Sequence, residues 1–145
     1  MKPLTKLLLA LTAVAALSFA CPAKANLITN PGFETGDLTG WNFVGNGGVS
    51  GLFSGQAPHS GNYQAILTTP PTSISQSVAT TPGATYTIDF FAAAFGSATQ
   101  PPSLTLSVNW GGGTVFSHLF NSNTGYTEYT FNVTASRLLH RADFH

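Results

Sequence analysis

The groups in this 145-residue chain able to move a proton or hold a metal are four histidines, five carboxylates and a single cysteine. His59, His118, His140 and His145 contain no pair at i, i+2 or i, i+4, the spacings that put two imidazoles on one side of a strand or helix. No serine lies in a Gly-x-Ser-x-Gly elbow. A glycoside hydrolase needs two carboxyl groups about 5 to 10 Å apart. Asp89 and Glu128 are the acids that neighbouring strands could bring together, but nothing in the sequence aligns them. His59, inside Ala57-Pro-His-Ser-Gly61, reads as a loop residue. Catalysis has little to stand on, and the polar groups suit either plain solvation or a neutral ligand.

The elements that must carry those groups are short and β-like. Turn formers recur at Gly45–Gly48, Ser60–Asn62, Pro70-Pro71, Thr81–Gly83, Pro101-Pro102, Gly111–Gly113 and Asn121–Gly125, leaving no room for an ordinary helix. Between them lie β-branched and aromatic runs: Trp41–Val44, Tyr63–Leu67, Ile74–Val78, Thr85–Ala93, Leu104–Trp110, Thr114–Leu119 and Thr127–Val133. Seven or eight such strands predict an all-β protein, an antiparallel sandwich or jelly roll. Phe90–Phe95 has a helix-compatible composition but is read as a strand overrunning into a loop.

Period-two alternation assigns the faces. Tyr86, Ile88 and Phe90 are expected in the core with Leu104, Leu106, Val108 and Trp110, and with Tyr129, Phe131 and Val133. The opposite set includes Asp89, Phe91, Asn109 and Glu128 together with Thr87, Thr130 and Asn132. If the three strands share a sheet, that surface combines carboxylates, amides and hydroxyls around one exposed ring. Sugars are recognised that way, planar polar groups meeting the hydroxyls and a ring meeting the apolar face. An ordinary half-solvated sheet would look the same in sequence.

Charge and the N-terminus set the compartment and exclude partners. Lys2 and Lys6 precede an uncharged run from Leu7 to Ala20, and Ala23-Lys24-Ala25 offers small residues for cleavage, so residues 1–25 are expected to be a helical signal peptide. A run of about 14 residues spans only about 20 Å as a helix, too short for a membrane core of about 30 Å. Leu17-Ser18-Phe19-Ala20 fits a lipid-attachment signal at Cys21 poorly, so the cysteine is expected to leave with the leader, and thiol chemistry with it. From Asn26 to Ser136 there is no Lys or Arg against the four acids Glu34, Asp37, Asp89 and Glu128. Such a surface cannot displace phosphate counterions or adhere to anionic lipid, which excludes nucleic acid and, after cleavage, membrane as partners.

Asn30-Pro-Gly-Phe-Glu34 with Gly40-Trp41, then Pro58–Tyr63, Ile74–Val78 and Thr81–Tyr86 resemble the galactose-binding-like jelly rolls of carbohydrate-binding modules, especially those of exported bacterial proteins with a PEP-CTERM sorting signal. The likeness runs from Asn26 to about Ala135. It implies a β-sandwich domain over 26–135 and a non-catalytic role on extracellular or cell-surface glycan, the protein being extracellular, on the cell surface or in the periplasm. A structural or adhesive surface or matrix protein without specific sugar binding, and a truncated product without independent function, stay open. In related modules the glutamate of the opening motif often helps hold a structural calcium with backbone carbonyls and an acid of the final strand, and Glu34 is the matching residue. Ser136–His145 matches none of the family's ending. These residues are expected to be an atypical tail of a truncated or frameshifted chain, leaving the sandwich without its closing strand and a sheet edge free for self-association.

Overall fold

A computed structural model describes residues 25–96 and 102–145. The expected leader lies outside the described residues apart from Ala25, which is exposed. The fold is all-β: β1 (Asn42–Val44), β2 (Gly47–Ser50), β3 (Gln64–Leu67), β4 (Ser73–Ala79), β5 (Thr85–Ala92), β6 (Leu104–Trp110), β7 (Gly113–Phe120), β8 (Thr127–Thr134) and β9 (Leu139–Phe144). A five-stranded sheet runs in the order β1-β4-β9-β6-β7, with the two-stranded pairs β2-β3 and β5-β8 beside it. Every pairing is antiparallel.

The β5-β8 pair packs across the five-stranded sheet through aromatic rings. Phe90 on β5 meets Phe144 edge-on at 5.3 Å, Phe116 at 5.8 Å and Tyr129 at 5.4 Å. Phe116 stacks on Phe131 at 5.4 Å, and Tyr86 meets Trp110 at 6.2 Å. Offset and edge-to-face pairs of this kind each add about 0.5 to 1.5 kcal/mol beyond the area they bury. Val108 is fully buried, and Ile74, Val78, Phe120, Val133 and Ala142 join it in the core. Alternation therefore orients β5 correctly: its even positions face the other sheet and its odd positions are exposed. The inward Tyr86, Ile88, Phe90, Leu106 and Phe131 are half-buried where full burial was expected.

Two corrections concern elements that composition hides. Gly47-Gly48, which reads as the second half of the Gly45–Gly48 turn, opens β2 (Gly47–Ser50), which pairs with β3. Residues 136–145, which read as an atypical tail beside an open edge, supply β9. This strand pairs with β4 along its length, from Ile74↔Phe144 to Ala79↔Leu139, and with β6 at Val108↔Phe144, Asn109↔Asp143 and Trp110↔Ala142. The gap expected beside a lost strand is filled, and the edges of the sheet are β1 and β7.

His140 explains how so polar a segment can be central. It is only 1% exposed and stacks on Trp110 at 4.8 Å. The Thr80 hydroxyl donates its proton to Arg137 O at 2.7 Å, so at 3.0 Å it can only accept from His140 Nδ1. On the other side the Ser136 N–H donates to Nε2 at 3.2 Å. The network thus makes Nδ1 the donor of the ring and Nε2 its acceptor. Gly111 makes room for it. In the two-residue turn joining β6 to β7, Gly111 and Gly112 take φ of 61° and 94°, both positive as a type I′ turn requires, and a Cβ on Gly111 would stand 2.8 Å from His140 Cδ2.

Candidate functional site

The register of β5 and β8 sets Phe91 opposite Glu128 and Asp89 opposite Thr130. Directly opposed residues of an antiparallel pair point to the same side, and a step of two keeps a residue on that side. Asp89, Phe91 and Glu128 therefore share one face with Thr87, Thr130 and Asn132, and all six are exposed. The Phe91 ring is 40% exposed. At the far end of the face the Thr87 hydroxyl donates to Asn132 Oδ1 at 3.0 Å, which leaves the amide nitrogen of Asn132 turned to other partners. No cation belongs to either strand.

Phe91 is accompanied by residues that sequence reasoning left aside. His59, from the loop between β2 and β3, stacks on it with ring centroids 3.6 Å apart and planes 11° from parallel. Tyr126, just before β8, meets the edge of His59 at 5.4 Å. Its hydroxyl donates to Gln64 Oε1, while Gln64 Nε2 donates to Gln56 O at 2.9 Å. Burial pushes the Tyr126 hydroxyl above its ordinary range, against a smaller opposing hydrogen bond from the His59 backbone, so it stays a neutral donor. A turn-forming Pro58-His-Ser-Gly61 segment carries no periodicity that could have pointed to Phe91. The proximity is purely tertiary.

Asn109 does not join this face. It lies on β6 in the other sheet, where Thr114 Oγ1 donates to its Oδ1 at 2.8 Å and β9 sets Asp143 beside it. Asp143 in turn accepts from Arg141 Nε at 2.5 Å. Alternation sends Asn109 outward from β6 as expected, but the outside of β6 is not the outside of β5.

Glu34 belongs to neither face. Asn30 anchors the opening motif, its Nδ2 donating to Thr35 Oγ1 at 2.7 Å and to the carbonyls of Asp37 and Thr39 at 3.2 Å. Asp37 Oδ1 accepts from the Thr35 hydroxyl at 2.7 Å and from Thr39 N–H at 2.9 Å, and these bonds hold its carboxyl below the usual range. Trp41 closes the end of the sandwich, donating from Nε1 to Asn30 O at 3.1 Å and meeting Phe33 at 5.5 Å and Phe144 at 6.2 Å. The Glu34 carboxylate faces the other way and accepts the Asn62 N–H at 3.0 Å, the Asn62 side chain at 3.3 Å and the Tyr63 N–H at 3.3 Å. The Asn62 N–H is the main reason its carboxyl lies below the ordinary value, partial desolvation opposing it. Gly61 allows the approach, with φ of 68° and no Cβ to collide with the carboxylate.

That donor set bears on calcium. The ion takes oxygen ligands, usually six to eight of them, whereas Glu34 is surrounded by N–H groups whose positive ends point at it. Among the described residues no three His, Cys, Asp or Glu side chains cluster for a metal. The residues as arranged do not fit a calcium ion, and Glu34 instead ties the first turn of the domain to the end of the loop that carries His59.

The described residues thus form an antiparallel sandwich whose opening motif locks one end and whose β5-β8 pair presents an exposed polar face around an aromatic ring. Residues 25–144 match the carbohydrate binding domain family CBM_4_9, and the chain belongs to that family. No match was found among curated proteins. Among the described residues no helix is long and apolar enough to cross a membrane.

Proposed function

We propose that the protein is the non-catalytic glycan-binding module of an exported protein and that it holds a neutral sugar on the outer face of β5 and β8. The observation that carries this is the placement of Phe91 directly opposite Glu128 with Asp89 two residues along, all on one exposed face of a carbohydrate binding domain. Phe91 offers an apolar ring to the C–H face of a pyranose, and Asp89, Glu128 and Asn132 offer acceptors and a donor to its hydroxyls. Two acids without a cation on these strands favour neutral or amino sugars over uronic acids, which like-charge repulsion would turn away. A hydrolytic pair works in a cleft that desolvates its acid, and both carboxylates here stand on an open sheet face, so the arrangement supports holding a sugar rather than cutting one.

The test is affinity electrophoresis and calorimetry of the full chain against soluble neutral polysaccharides and their oligosaccharides, with Phe91→Ala in parallel. Loss of the stacking ring is expected to weaken binding about tenfold, with the melting temperature little changed because the ring lies outside the core. Binding that survives Phe91→Ala at full strength places the sugar elsewhere.

A further inference from the structure

We propose that His59 is a displaceable ring that occupies the place of a sugar on Phe91, so that it sets the apparent affinity and ring selectivity of the face. This rests on the glycan reading above. At a centroid separation of 3.6 Å and an angle of 11°, the two rings are in van der Waals contact and nothing fits between them. A pyranose stacking on that side of Phe91 must therefore take the place of the imidazole.

The local construction suits a ring that leaves and returns to one spot. His59 is exposed, as are its neighbours Ser60 and Gly61; the edge of the Tyr126 ring lies 5.4 Å from it, and its backbone N–H bonds the Tyr126 hydroxyl. Both sides of the arm are pinned: Glu34 holds the N–H groups of Asn62 and Tyr63 just after it, and Gln64 holds Gln56 O before it. Gly55 and Gly61, with φ of 82° and 68°, stand near the two pins and can absorb the backbone rotation. Tyr126, fixed by Gln64, stays behind as a wall when His59 swings out. A protein whose binding-competent form is only partly populated shows an affinity reduced by that fraction. His59 is thus an internal competitor, and a ligand must stack on Phe91 better than an imidazole does.

The experiment uses the full chain and its His59→Ala and Phe91→Ala variants, titrated with cello-, xylo-, manno- and galacto-oligosaccharides while the His59 ring protons are followed by NMR. In the free protein those protons are expected to be shifted upfield by the Phe91 ring and to return to ordinary positions in Phe91→Ala. On addition of the oligosaccharide that binds, they are expected to return likewise. His59→Ala is expected to bind that oligosaccharide about three- to tenfold more tightly than the native chain. Equal or weaker binding by His59→Ala, or ring protons that Phe91→Ala leaves unchanged, overturns this inference while the glycan reading stands. Folded native and His59→Ala proteins that bind none of the four classes overturn the glycan reading and this inference with it.

Discussion

Strand β9 and the outer face of β5 and β8 both carry polar side chains, and they use them to opposite ends. In β9 the imidazole of His140 points inward, stacked on Trp110 and bonded at both nitrogens by Thr80 and Ser136, so that it behaves as a piece of core. Among the described residues no buried side-chain nitrogen or oxygen lacks a partner. On β5 and β8, Asp89, Glu128 and Thr130 are exposed and, among the described residues, make no bond to another side chain. A polar group stabilises this fold where every partner is supplied from within, and is available for recognition where none is. Stability and binding should accordingly be separable by mutation.

The strongest way to break that contrast is to remove β9. Truncation before Leu139 takes the middle strand from the five-stranded sheet, and since a whole domain is stable by only about 5 to 15 kcal/mol, the product is expected to show no cooperative unfolding by circular dichroism or calorimetry. A truncated chain that still melts cooperatively would mean that β4 and β6 can pair directly. A finer cut is His140→Ala, which deletes a buried ring and strands the Thr80 and Ser136 groups. It is expected to lower stability by about 3 kcal/mol in chemical denaturation while leaving glycan affinity unchanged at temperatures where it is folded. An equally large loss from Phe91→Ala would erase the distinction between the two regions.

The smallest expected effect comes from Glu34, which joins the end of the sandwich to the arm of the binding face. Its carboxyl is held below the ordinary 4.5 by the Asn62 N–H in the folded protein. A depressed folded value means that the ionised carboxylate stabilises the fold above the unfolded-state value, and that this contribution is lost as pH falls through the folded one. Melting temperature should therefore decline on the acid side, with Asp37 contributing in the same direction. Glu34→Gln should melt lower than the native chain near neutrality, and the two curves should converge in acid. A gap independent of pH would assign the effect to shape rather than charge.

How far the sequence discloses these regions follows from what alternation can express. The faces of β5 and β8 were legible because the inward positions are Tyr86, Ile88, Phe90, Tyr129, Phe131 and Val133, whose hydropathy contrasts with Thr87, Asp89 and Thr130. In β9 the inward positions are His140, Ala142 and Phe144 beside outward Leu139, so the same period is present but the hydropathy contrast is nearly erased. β2 was lost because Gly47-Gly48 has turn chemistry and pairs only through its backbone with β3. Asn109 was oriented correctly and placed on the wrong side of the molecule, since period two tells which way a side chain points from its strand but not which sheet the strand joins. His59 needed a contact across 32 positions of chain, as its stacking on Phe91 shows, and no local pattern encodes that.

The order in which the strands become available during synthesis gives the position of β9 a further meaning. The sheet runs β1-β4-β9-β6-β7, so a growing chain can form the β6-β7 hairpin and the β1-β4 pair early, but among the described residues no strand pairing joins the two halves until residues 139–144 exist. Closing distant segments through a late strand makes for slow folding dominated by long-range contacts. Until β9 has been made the five-stranded sheet is in two halves without a shared strand, so the domain commits to its shape late in its own synthesis.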